Sequence, residues 1–89
     1  NPNFTPVLNM MGYAYMDKDD LDSAGKVLQE QIRRASGSAN PYDSMADYYL
    51  AMDNQVDALR YFEQAAKMGL KASVDKADAL RKQLEQEDK

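Results

Sequence analysis

The run DKDDLD, Asp17 to Asp22, sets four carboxylates within six residues. A calcium loop takes ligands from alternate positions, turns on a central glycine and closes with a glutamate at its twelfth residue. This run supplies neither the glycine nor the glutamate in register, so it is read as a turn between helices. Paired carboxylates can also hydrolyse glycosides, but that chemistry needs a deep cleft to hold the sugar and shift one pKa, and a chain of 89 residues has little room for one. With no histidine and no cysteine, most nucleophilic triads, thiolate nucleophiles and transition-metal sites are lost together. Phosphate-cradling glycine loops and the G-x-S-x-G elbow are missing too. The expectation is a protein that is not an enzyme and takes no cofactor and no metal.

The second concentration of functional groups is YDSMADYY, Tyr42 to Tyr49, where three tyrosines and two aspartates surround one methionine. Such a stretch serves as core or as a surface for another chain, and the elements around it must decide. The chain is long enough for one domain, spanning 1–89. A net charge of −4 without a long basic block argues against nucleic acid, whose phosphates are met by Lys and Arg. No apolar run approaches the roughly 18 residues that span a bilayer. The absence of cysteine leaves the compartment open. The opening NPNFTP has neither initiator methionine nor signal-like run, which predicts a piece of a larger chain.

Strand-like alternation is absent, and Ala, Leu, Gln, Lys and Glu fill the stretches between punctuating residues. Thr5-Pro6 and Asn40-Pro41 both read as helix starts, a polar cap followed by the fixed φ of proline. Asp20 is expected to cap a helix from about 21 to 35, which SGSAN ends. A third helix is expected from 41 to about 52, a fourth from 55 to about 68 with Gly69 as a left-handed stop, and a fifth from about 74 to 87 behind Ser73.

The two halves share a register. Met11 and Met45, Gly12 and Ala46, Tyr15 and Tyr49, Asp19 and Asp53, Ala24 and Ala58, and Leu28 and Phe62 all lie 34 residues apart. Leu8, Met11, Gly12 and Tyr15, then Tyr42, Met45, Ala46 and Tyr49, follow the large, large-small, aromatic order of one repeat class. On these residues the chain resembles the tetratricopeptide repeat family over about 5–72. The expected fold is all-α, a right-handed α-α superhelix of two antiparallel helical hairpins, repeats 5–38 and 39–72, closed by a capping helix at 73–89. Two departures stand out: no closing proline follows either unit, and Gln31 stands where the second unit has Ala65.

The matched residues fall at i, i+3, i+4 and i+7 and are expected to be core. In the fifth helix Val74, Ala77, Leu80 and Leu84 form the expected inward stripe. A second line carries Asn9, Tyr13, Met16 and Asp17 on the first helix and Asp43, Asp47 and Leu50 on the third. In the resembled family the first helices of successive repeats line a concave groove, so these seven residues are the expected peptide-binding site. Its aspartates favour a basic or apolar protein segment as partner. Some members of that family grip acidic chaperone tails with Lys, Asn and Arg, but here Asn9, Tyr13 and Ser44 occupy clamp positions, which disfavours that ligand. The resemblance implies a non-enzymatic protein–protein interaction module. The alternative is a structural C-terminal appendage of a larger bacterial enzyme that contacts its parent chain or self-associates.

Overall fold

A computed structural model describes residues 5–87. It is all-α: α1 (Thr5–Asp17), α2 (Leu21–Arg34), α3 (Asn40–Ala51), α4 (Gln55–Lys67) and α5 (Lys71–Glu87), with no strand among the described residues. Short connections fold α1 onto α2 and α3 onto α4 as hairpins; α5 packs on α4, and α2 joins the hairpins through α3. No described helix is long and apolar enough to cross a membrane.

The turns explain the spacing. Asp19 (φ 62°) and Asp53 (φ 59°) both adopt left-handed backbone, a conformation that aspartate tolerates better than most residues. The amide after each reaches back over the turn, Asp20 N to Tyr15 O and Asn54 N to Tyr49 O, both at 2.8 Å. Each is followed by a side-chain cap: Asp20 accepts from the Ser23 amide and Asn54 from the Asp57 amide. Gly69, at φ 102°, ends α4 as the sequence predicts.

Gly12 lets the first hairpin close, because a Cβ there would stand 2.8 Å from Leu28 Cγ. Gly25 does the same between hairpins, where a Cβ would meet Tyr48 Oη at 2.6 Å. Ala46, Ala58, Phe62, Ala77 and Leu80 form the buried cluster of α3, α4 and α5, flanked by Tyr49, Leu59, Tyr61 and Leu84. Ala24 and Leu28 are fully buried in the first hairpin.

Five local expectations need correction or fall outside the described residues. The α3 cap position is Ala39, without a side-chain cap bond, and Asn40 already lies inside the helix. The amides of Tyr42 and Asp43 are met instead by the Ala39 carbonyl, and Pro41 fixes the first turn. Helix α5 begins at Lys71, because the Leu70 carbonyl accepts from the Ser73 and Val74 amides directly after the Gly69 turn. Ser73 is therefore a buried helical residue, and it takes the inward place expected of Val74, which is 40% exposed. Met11 is 39% exposed whereas Met45 is 1% exposed, since α1 is the end helix and α3 is packed between neighbours. The expected Thr5 cap concerns a side chain outside the described residues.

Candidate functional site

Helices α1 and α3 lie side by side and bring four of the seven expected residues together. Tyr13 Oη donates to Asp47 Oδ2 at 2.5 Å. Asn9 Oδ1 accepts from Ser44 Oγ at 2.5 Å and from Gln31 Nε2 at 3.3 Å. Asp43 Oδ1 accepts from Ser73 Oγ at 2.7 Å, and Lys76 Nζ lies 3.1 Å from its other oxygen. The polar residues thus form a belt across α1, α3 and α5 with α2 beneath it.

A cleft of about 410 Å³ opens on this belt, with Asn9, Tyr13, Gln31, Asp43 and Ser44 in its lining and Pro41 at its edge. Asp47 joins it through Tyr13. Met16, Asp17 and Leu50 lie outside its lining; Asp17 and Leu50 are exposed and Met16 is half-buried. Burial raises the Tyr13 phenol well above its ordinary range, and the hydrogen bond to Asp47 adds to the shift by favouring the protonated phenol. Tyr13 is therefore a neutral donor at physiological pH.

The structure assigns Asp43 a task that sequence reasoning missed. Its charge is met inside the chain by Lys76, whose ammonium also stands 5.5 Å from the Phe62 ring centroid. Ser44, Gln31, Ser73 and Lys76 were absent from the expected site. Gln31 and Ser44 carried a signal nonetheless, Gln31 as a polar residue where the second unit has Ala65 and Ser44 as the occupant of a clamp position. Ser73 was hidden by the misplaced start of α5.

YDSMADYY divides between packing and site. Tyr42 and Tyr49 stack on Tyr61 at centroid distances of 6.3 and 5.3 Å, and Tyr48 meets Tyr49 edge-on at 5.3 Å. Asp43, Ser44 and Asp47 from the same stretch turn to the belt. The acidic run at 17–22 holds turns, with Asp19 in the left-handed bend and Asp20 as cap. Arg33 and Arg34 fold back on Glu30, and their hydrogen bonds hold its carboxyl down at about 2.

The chain matches no family model, no curated protein and no solved structure.

Proposed function

We propose that the chain is a non-catalytic binding module of two tetratricopeptide-like hairpins and a capping helix, which takes a protein segment across the α1–α3–α5 face. The observation that carries this reading is the cleft floored by Asn9, Tyr13, Asp43 and Ser44, where side chains from two helices converge. The repeat assignment draws its support from equivalent events 34 residues apart, the left-handed aspartates and the caps that follow them. Asn9 and Ser44 suit the polar groups of an extended backbone. Asp47 favours Lys or Arg in the ligand, while Met16 and Leu50 flank it with apolar surface. Two hairpins offer less surface than a standard stable interface of about 1,200–2,000 Å², so affinity is micromolar or weaker.

Selection of random displayed peptides against the 89-residue chain tests this proposal. Peptides with a basic residue beside apolar ones should be enriched. Asp47→Lys should weaken them by about tenfold or more while helical circular dichroism is retained. No enrichment, or equal binding to the variant, would refute the groove as a recognition surface.

A further inference from the structure

Helix α1 has one charged residue in 13, Asp17 at its end, whereas α5 at the opposite end has eight in 17. Its outward stripe is Val7, Met10, Met11 and Ala14, spaced i, i+3, i+4 and i+7, and the first three are 51%, 72% and 39% exposed. Gly12, Leu8 and Tyr15 turn the other way, and the belt residues Asn9 and Tyr13 lie to the side, so the stripe is separate from the cleft. Thirty-four residues on, Pro41, Ser44 and Met45 are buried, and Tyr48 closes on Gly25 of α2. The same register on α3 is thus covered by its neighbours, while on α1 it faces outward.

We propose that this stripe is the contact between two copies of the chain, with α1 antiparallel to α1 across a two-fold axis near Met10 and Met11. The charged α5 offers no continuous apolar stripe for head-to-tail stacking, and α4 already packs against both α3 and α5. Self-pairing of the stripe is therefore the closed arrangement, and a two-fold contact is the commonest kind. Charge sets the direction. Antiparallel pairing puts Asp17 beside the first turn of the second copy's α1, which has no acidic residue of its own and whose dipole presents positive charge. Parallel pairing would put the two Asp17 carboxylates together. Methionines suit the centre because their unbranched side chains repack readily against one another.

The test is sedimentation equilibrium of the full chain from about 5 to about 500 µM, alongside Met10→Lys, Asp17→Lys and Val74→Lys, all at exposed positions. The parent should rise toward twice the monomer mass, and Val74→Lys should follow it. Met10→Lys should stay monomeric with unchanged helical circular dichroism, and Asp17→Lys should weaken association by about threefold or more. A parent that stays monomeric throughout, or a Met10→Lys variant that dimerises as tightly as the parent, overturns the proposal. An Asp17→Lys variant as tight as the parent overturns the antiparallel arrangement. The parent sequence has no cysteine, so Met10→Cys gives an independent readout: oxidation should link two copies through this position faster than through Val74→Cys. Equal linking rates would count against the stripe.

Discussion

Tyr13 is protonated in the folded protein at pH values where an exposed tyrosine is ionised. Its pKa is raised on folding, so the unfolded chain loses this proton first, above about pH 10. The stabilising contribution is complete below that pH and is lost as pH rises toward the folded pKa. Thermal unfolding followed at about pH 8, 10 and 11 should show the midpoint falling in alkali, and Tyr13→Phe should fall less steeply. Equal slopes would show that Tyr13 ionises alike in both states. Gly12 gives a second residue-scale prediction. A methyl there meets the branch carbon of a fully buried Leu28, so Gly12→Ala should cost about 1–2 kcal/mol in denaturant unfolding despite its better helix propensity. Gly37→Ala, with nothing within 4 Å, should be near neutral.

Helix α5 is held by more than its apolar stripe. Ser73 and Lys76 converge on Asp43, while Arg81 reaches Glu63 on α4 at 2.6 Å. Ser73→Ala removes a buried bond to a carboxylate and should cost about 1–3 kcal/mol, with hydrogen exchange rising first in α5. The exposed Arg81–Glu63 pair should contribute less than about 1 kcal/mol. The helices themselves were legible in the sequence because their stops are chemical: Asp20 as a cap, Gly69 as the left-handed exit, and Asp19 and Asp53 at equivalent turns. The start of α5 was misread because a backbone carbonyl caps it, and serine resembles a cap wherever it occurs. Likewise Asn40 looked like a cap beside proline, yet the helix begins one residue earlier. Gly12 was placed correctly by its register with Ala46, whereas the close approach of Gly25 to Tyr48 had no counterpart in the repeat pattern. The partners of Asp43 and Asn9 were not, since a pair such as Asp43 and Ser73 depends on how α5 crosses α3 rather than on either segment.

The whole molecule is a slab of 48 × 29 × 15 Å with a radius of gyration of 13.0 Å, against about 12 Å for a compact chain of this length. Its thinness leaves most helices with a wet side, which is why the charged faces of α2, α4 and α5 are legible and why α1, with a single charge, stands out. Removing α5 should be more damaging than any single change. Phe62, Ala58 and the Ala46 face would lose their Ala77 and Leu80 cover, so a chain ending after Ala72 should be aggregation-prone or unfolded by circular dichroism. The cleft, in contrast, lies between α1 and α3, one of the few contacts between helices that do not follow one another in sequence.

Because each helix leans chiefly on its successor, nearly every loop that must close during folding is short. The search for the native state should therefore be quick, with relaxation in the microsecond-to-millisecond range typical of low contact order. The α3–α4 hairpin, flanked on both sides, is the natural nucleus. The α1–α3 belt must then be among the last structures to form and the first to open, so the face proposed to bind another protein is also the one that closes latest on the folding path.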